Sequence, residues 1–182
     1  MTKALISIDY SYDFVADDGK LTAGKPAQAI EDRIAQVTQE AYDNGDYIFV
    51  AMDRHDEGDT FHPETKLFPP HNIAGTSGRE LYGKLAGVYD AIKDDNRVFW
   101  MDKRHYSAFS GTDLDIRLRE RRVTTVGLTG VLTDICVLHT AIDAYNLGYD
   151  IEIPAAAVAS LTQENHQFAL NHFKNVLGAK II

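Results

Sequence analysis

The hydrophobic residues of this chain are grouped in six short runs, with amphipathic segments between them. Short runs rich in β-branched and aromatic residues predict buried strands, here residues 3–9, 47–52, 97–101, 123–128, 149–154 and 178–182. Capping residues and helical spacing predict helices that begin at Pro26, near Arg79, and at Asp113, Thr133 and Thr162. Strands that alternate with helices predict an α/β fold: a three-layer αβα arrangement with a mainly parallel six-stranded sheet, in a single domain over residues 1–182.

The composition narrows the classes of partner. The chain has 182 residues, of which 45% are hydrophobic and 25% charged, and 18 basic against 27 acidic side chains give a net charge of -9. Nucleic acids and anionic membranes require a basic surface, so neither is expected as a partner. The single cysteine cannot form an internal disulfide, and the first residues lack the layout of a signal peptide. With no apolar run of membrane-spanning length, we expect a cytoplasmic enzyme.

The fourth run leads into the only cysteine of the chain. Gly130 ends the strand and Thr133 is a suitable N-cap, which places Cys136 at the third helical position. A thiol at a helix N-terminus feels the positive end of the helix dipole, which favours the thiolate. Cys136 is therefore a candidate nucleophile, and the alternative is an inert small residue that fills space.

Reactive side chains stand at or just after the ends of four predicted strands. These are Asp9, Asp53, Lys103 and Cys136. Parallel sheets bind their ligands at the carboxyl ends of the strands, so the four groups are expected to converge there. Asp9 would serve as the base for Cys136, and Lys103 as the cation that favours its thiolate. Taken singly, Asp9 is also explained as a turn residue and Lys103 as a surface charge.

Residues 55–77 form a long segment with little periodicity, of the kind that is usually functional or disordered. Asp53, His55, Glu64 and His71 offer imidazole and carboxylate groups of the type that bind zinc in hydrolases. Asp53 and His55 would point to the same side of an extended strand end. The alternative is a solvated polar loop. The remaining histidines, His62 among them, are predicted to have no ligand role.

Three segments resemble the signatures of the isochorismatase-like cysteine hydrolases, in the right order and over essentially the whole chain. They are Asp9 with Asp13-Phe14, Lys103 with Tyr106-Ser107-Ala108-Phe109, and Gly130-Val131-Leu132-Thr133-Asp134-Ile135-Cys136-Val137. Within that superfamily the chain most resembles the nicotinamidases. Two positions depart from the pattern of many relatives: Ser11 stands in place of glutamine, and Asn72 in place of cysteine.

The resemblance implies a catalytic triad of Asp9, Lys103 and Cys136. It also implies a cis peptide bond between Val131 and Leu132, and an oxyanion hole formed by the N–H groups of Leu132 and Cys136. The expected reaction is hydrolysis of nicotinamide to nicotinate and ammonia through a cysteine thioester, in NAD salvage. Relatives often self-associate, so a homo-oligomer is expected.

The resemblance further implies one divalent metal ion, bound by Asp53, His55 and His71, with Glu64 at a more variable fourth position. Zinc is the expected metal, and iron or manganese also suits these ligands.

Aromatic residues near the reactive groups are expected to wall the substrate cavity. Phe14, Phe68 and Tyr106 each lie within a few residues of a reactive side chain, and their rings would hold a flat aromatic amide. Each is also explained as a residue that anchors a loop to the core. Two other functions stay open: the same triad acting on another small amide, ureido or carbamoyl compound, and a non-catalytic binding domain with a redox-sensing cysteine.

Overall fold

The computed structural model describes residues 2–182; Met1, where the predicted domain begins, lies outside them. The strands are β1 Thr2–Ile8, β2 Tyr47–Asp53, β3 Val98–Lys103, β4 Val123–Val131, β5 Asp150–Ile153, β6 Val158–Ala159 and β7 Lys180–Ile181. The helices are α1 Tyr12–Val15, α2 Lys25–Gln28, α3 Glu31–Asp43, α4 Gly83–Ile92, α5 Leu114–Glu120, α6 Leu138–Asn146 and α7 Gln163–Asn175.

All seven strands belong to one parallel sheet, in the order β3-β2-β1-β4-β5-β7, with β6 paired to the end of β4. Alternate residues of β1 face opposite sides, as the strand period of two requires. Ile6 and Ile8 pack into a core with helices α5, α6 and α7, whereas Leu5 packs into a second core with α2, α3 and α4. The predicted single-domain α/β fold with helices on both faces of the sheet is confirmed.

Several elements differ from the sequence prediction. The sheet has a seventh strand, β6, which at two residues is too short to show an alternating pattern. The helix predicted from Pro26 is two helices, α2 and α3, separated at Ala29 and Ile30. The helix predicted near Arg79 begins at Gly83, after a separate 3₁₀ turn Ser77–Arg79. Only the difference near Arg79 is a shift of an element end, where tertiary contacts outweigh local propensity.

The long segment 55–77 is ordered by contacts with the rest of the chain. It contains the 3₁₀ turn Pro63–Lys66, and His55 forms an isolated bridge with Ile73. Exposed apolar side chains mark its outer surface, with Phe61 95% exposed. Within residues 2–182, no helix combines the length and apolar character that crossing a membrane requires.

Candidate active site

Four neighbouring strands bring the reactive side chains to one edge of the sheet. In sheet order, Lys103 ends β3, Asp53 ends β2, Asp9 follows β1 directly, and Cys136 follows β4. Lys103 and Asp53 are register partners across β3 and β2. The convergence that the sequence predicted at the carboxyl ends of the strands is therefore present in the structure.

Lys103 is the centre of this group. Its side chain is fully buried, and its Nζ lies 2.7 Å from Asp9 Oδ2, 3.7 Å from Asp53 Oδ1 and 3.9 Å from Cys136 Sγ. Nζ also donates a hydrogen bond of 3.0 Å to the carbonyl of His105. Burial alone would lower the pKa of Lys103, but the negative charge of Asp9 and its neighbours outweighs burial and raises it. Lys103 is therefore a fixed positive charge beside the thiol.

Asp9 is held from two sides. Its backbone has a φ of 55°, a left-handed conformation that aspartate tolerates better than most residues. Its N–H donates to Ala51 O, and its Oδ1 accepts the N–H of Asp53 at 2.8 Å. Burial raises the pKa of Asp9 to about 6, although Lys103 opposes the rise. The carboxylate is thus a stronger base than an exposed aspartate.

Cys136 differs from the sequence prediction in its local structure and ionisation. It lies in a π-helical turn, Thr133–Val137, that precedes α6. The predicted N-cap at Thr133 is wrong, because the Thr133 hydroxyl instead shares a hydrogen bond of 3.0 Å with His166 Nδ1. Burial raises the pKa of Cys136 well above its usual value, and Lys103 only partly opposes this. A raised pKa favours the thiol over the thiolate, so attack by sulfur would require a base.

Gly130 sets the path of the chain into that turn. It has a φ of 111°, and a Cβ at this position would overlap the carbonyl of Ile8 on the neighbouring strand. Glycine is therefore required for the close approach of β4 to β1 beside Asp9. The peptide between Val131 and Leu132, which follows, is cis, as the resemblance implied.

The four predicted metal-binding residues form a buried cluster beside the triad. One ligand atom from each of Asp53, His55, Glu64 and His71 lies within 4.8 Å of the others. Asp53 Oδ2 is 2.8 Å from His55 Nε2 and 3.5 Å from His71 Nε2, and Glu64 Oε2 is 3.7 Å from His71 Nε2. Segment 55–77 thus returns two side chains to the end of β2.

The state of His71 fits a bound metal ion. Its Nδ1 donates a hydrogen bond of 2.8 Å to Pro69 O, so Nε2 is the ring nitrogen that can bind a metal ion. Nε2 is buried, has no hydrogen-bond partner and faces two carboxylates. Metal-binding histidines characteristically donate their second ring nitrogen to a carbonyl in this way. Two imidazoles with two carboxylates suit zinc and the other divalent metals that accept nitrogen and oxygen ligands.

His62 is buried next to this cluster but has no free nitrogen. Its Nδ1 accepts the N–H of Glu64 at 3.3 Å, and its Nε2 donates to Arg104 O at 2.5 Å. Both ring nitrogens are therefore engaged in hydrogen bonds, and the absence of a ligand role for His62 stays a prediction. Its hydrogen bonds connect the turn that carries Glu64 to the residue after Lys103.

A cavity of about 160 Å³ opens onto the reactive groups. Phe14, Phe68 and Tyr106 all line it, as expected, together with Asp53, Glu64 and Cys136. Sequence reasoning missed the rest of the lining, which is Leu21, Thr22, Ala23, Val131, Leu132, Ile135 and Leu161. Leu132 was named only for its N–H group. Val131, Leu132 and Ile135 lie in the signature around Cys136, whereas the other four come from distant segments and share no sequence pattern that would have identified them.

Comparison with known proteins agrees with this geometry. The model of the isochorismatase domain family matches residues 3–182. The chain belongs to the isochorismatase family. The structure of the pyrazinamidase/nicotinamidase of Streptococcus mutans UA159 is 82% identical, covers all of both chains and superimposes with a TM-score of 0.99. That of the nicotinamidase/pyrazinamidase PncA of Bacillus subtilis is 56% identical over 100% of this chain and 99% of that chain, with a TM-score of 0.98.

A less similar solved structure is that of a zinc complex. The pyrazinamidase of Pyrococcus horikoshii, solved in complex with zinc, is 28% identical over 100% of this chain and 99% of that chain. Its TM-score is 0.86. The fold that positions the cluster is thus shared with a zinc-bound relative.

Proposed function

We propose that this protein is a nicotinamidase, which hydrolyses nicotinamide to nicotinate and ammonia for the salvage of NAD. The observation that carries the proposal is the buried contact of Lys103 with both Asp9 and Cys136. Beside this contact lie a cluster of residues that could bind a metal and a cavity lined in part by aromatic side chains. Family membership and the nicotinamidase names of similar structures support it. Self-association and a cytoplasmic location stay predictions.

The ionisation of the triad suits acyl transfer. Asp9 takes the proton of the Cys136 thiol as sulfur attacks the carboxamide carbon, and Lys103 stabilises the negative charge that passes between them. The N–H groups of Leu132 and Cys136 would bind the oxyanion. Asp9 then gives the proton to the leaving ammonia, which leaves a thioester on Cys136. Water, with Asp9 as base, hydrolyses the thioester to nicotinate and restores the thiol.

Asp53, His55, Glu64 and His71 would hold the divalent metal ion. When bound, the metal supplies a Lewis acid that orients the ring nitrogen of the substrate. The ring centroids of Phe14 and Phe68 lie 5.3 and 6.2 Å from that of the metal-binding His71. Because the substrate ring would lie beside the metal, these two side chains would hold it by stacking and edge contacts.

The cavity lining favours a neutral aromatic amide over an anionic ureido or carbamoyl compound. Among the lining residues of the described chain, the charged side chains are Asp53 and Glu64, and none is a lysine or an arginine. Lys103 is already paired with Asp9. A substrate carboxylate would therefore enter a mostly apolar cavity whose lining offers no cationic side chain, and would depend on the metal ion for a positive charge. Pyrazinamide, also a neutral flat carboxamide, is the expected second substrate.

The test is ammonia release from nicotinamide, compared between the wild type and Cys136→Ala. We expect the wild type to release one ammonia per nicotinate, and the variant to lose essentially all turnover while its metal content is unchanged. Mass spectrometry of the acid-quenched wild type should detect the nicotinoyl thioester on Cys136. Substantial activity in Cys136→Ala would rule out the nucleophile. Release from ureido compounds but not from nicotinamide would replace the proposed substrate.

A further inference from the structure

Asp13 belongs to one of the family signatures, yet no step of the proposed reaction uses it. It lies in α1, and its side chain is buried. The N-terminus of this short helix is already capped by Ser11, whose Oγ accepts the N–H of Phe14. The carboxylate of Asp13 is therefore free to make contacts outside its own helix.

Those contacts lead to segment 55–77. Asp13 Oδ2 accepts the N–H of Asn72 at 2.8 Å, and Oδ1 accepts the N–H of Lys20 at 3.2 Å. A Cβ at Gly78 would overlap the carboxylate, so the backbone of the turn Ser77–Arg79 packs directly against it. Asp13 has little room to move, and its contact with Asn72 joins residues 59 positions apart.

Asn72 connects Asp13 to both metal-binding histidines. It directly follows His71, and its carbonyl accepts the N–H of His55 at 3.1 Å. Its backbone has a left-handed φ of 46°, a conformation that favours asparagine or glycine. Its side-chain Oδ1 accepts the hydroxyl of Ser11 at 2.9 Å. The two positions that depart from the family pattern, Ser11 and Asn72, therefore contact each other within the same cluster.

We propose that Asp13 is a positioning residue for the metal site, which fixes the backbones of His55 and His71 through Asn72 without being a ligand itself. A charged acceptor holds a backbone N–H more strongly than a neutral one. Loss of that acceptor lets residues 71–72 relax and separates the two imidazoles, so metal affinity falls. Partners outside the ligand shell typically change metal affinity by 10–100-fold when they are altered.

The experiment measures the Kd of metal-free protein for Zn²⁺ by competition with a chelating dye. We expect Asp13→Asn, whose amide oxygen still accepts one hydrogen bond, to weaken Zn²⁺ binding by about 10-fold, and Asp13→Ala to weaken it further. Raising the Zn²⁺ concentration should restore the activity of Asp13→Asn. A merely structural role would lower the Tm of the metal-free protein and leave the Kd unchanged.

The matched control is Asp95→Asn. Asp95 also accepts a backbone N–H at 2.8 Å, from Arg97, but it lies before the amino end of β3, away from the metal cluster. The Asp95→Asn variant should bind Zn²⁺ with the same Kd as the wild type. If the Asp13 variants do not fold, Ser11→Ala tests the same contacts: it removes the hydrogen bond to Asn72 together with the cap of α1, and should weaken Zn²⁺ binding by a few-fold.

A Kd within twofold of the wild type in folded Asp13→Asn, or in Ser11→Ala where the Asp13 variants do not fold, would overturn the inference. The inference rests on the metal site of the proposed function. Different results would refute the proposed function and the role of Asp13. A wild type that binds none of Zn²⁺, Fe²⁺ and Mn²⁺ would refute the metal site and this inference with it, whereas a wild type that binds metal but releases no ammonia from nicotinamide would refute only the proposed function. Equal binding by the wild type and the variants would refute only the role of Asp13.

Discussion

The triad and the metal cluster meet at the same edge of the sheet, but the chain builds them in different ways. Asp9 and Lys103 lie at the ends of strands whose register fixes where they point. Glu64 and His71 lie instead on segment 55–77, where a 3₁₀ turn, a local hydrogen bond from His71 to Pro69 and a hydrogen bond to the distant Asp13 replace regular pairing. One group is positioned by the sheet, and the other by a loop that is tied back to it.

This difference predicts which of the two groups keeps its geometry when a single contact is lost. A strand end cannot move without breaking the ladder of its neighbours, whereas a loop depends on a few individual contacts. We therefore expect the triad to keep its geometry when the metal is removed, and the metal cluster to be the part that loosens. Four measurements test this expectation.

The largest effect is expected from Lys103→Met. The change leaves Asp9 and Asp53 buried without their cation, so the free energy of unfolding should fall by about 3–5 kcal/mol. The kcat should fall by roughly 10⁴-fold, as for other members of catalytic triads. Urea unfolding and ammonia release measure the two effects. Lys84→Met, at an exposed lysine, is the control, and equal effects of the two changes would contradict the central position of Lys103.

Removal of the metal with a chelator should affect segment 55–77 and leave the triad unchanged. We expect activity to fall by roughly 100-fold, while iodoacetamide alkylates Cys136 at an unchanged rate. Limited proteolysis should then cut within residues 55–77, near the exposed Phe61 and Leu67, and leave the strands intact. Mass spectrometry of the fragments locates the cuts. Faster alkylation of Cys136, or cuts near β4, would show that the triad also depends on the metal.

Gly130→Ala tests the sheet half of the site directly. The added methyl group overlaps the carbonyl of Ile8 and should cost about 3 kcal/mol of unfolding free energy. Gly148→Ala is the matched control, because Gly148 also has a positive φ, 83°, but nothing lies near its Cβ position. Gly148→Ala should lower the free energy of unfolding by about 1–2 kcal/mol, because alanine must adopt a left-handed conformation there. Equal losses in urea unfolding would mean that the close approach of β4 to β1 is not what requires glycine.

The smallest effect is expected from Arg104→Ala. Arg104 pairs with Asp56 and Asp59 on the solvent side of segment 55–77, where exposed ion pairs contribute little. The Tm should change slightly, and the Kd for Zn²⁺ should stay that of the wild type. A loss of Zn²⁺ affinity as large as that of Asp13→Asn would show that surface charges, rather than buried contacts, hold the loop.

The same difference decides how much could be predicted from the sequence. Asp9, Asp53 and Lys103 were found because each follows an apolar run, and parallel strands bring such positions together. The helix α1, the break between α2 and α3, and the strand β6 were missed, since none of them is long enough to carry a periodic pattern.

The raised pKa of Cys136 could not be predicted either. Local sequence indicates a helix start, which favours the thiolate, but the pKa depends on burial by residues far along the chain. Thr133 shows the same limit: the sequence favours a cap, and a histidine 33 residues away takes its hydroxyl instead. Local patterns identified the reactive groups, and long-range packing determined their state.

The order of strands in the sheet has a consequence for the synthesis of the chain. β1 is made first, yet it lies in the middle of the sheet, between β2 and β4. Its second neighbour emerges from the ribosome only when residues 123–131 have been made, so Asp9 and Cys136 cannot meet on a shorter nascent chain. Until then one edge of an apolar strand stays unpaired, which exposes β1 to aggregation during translation.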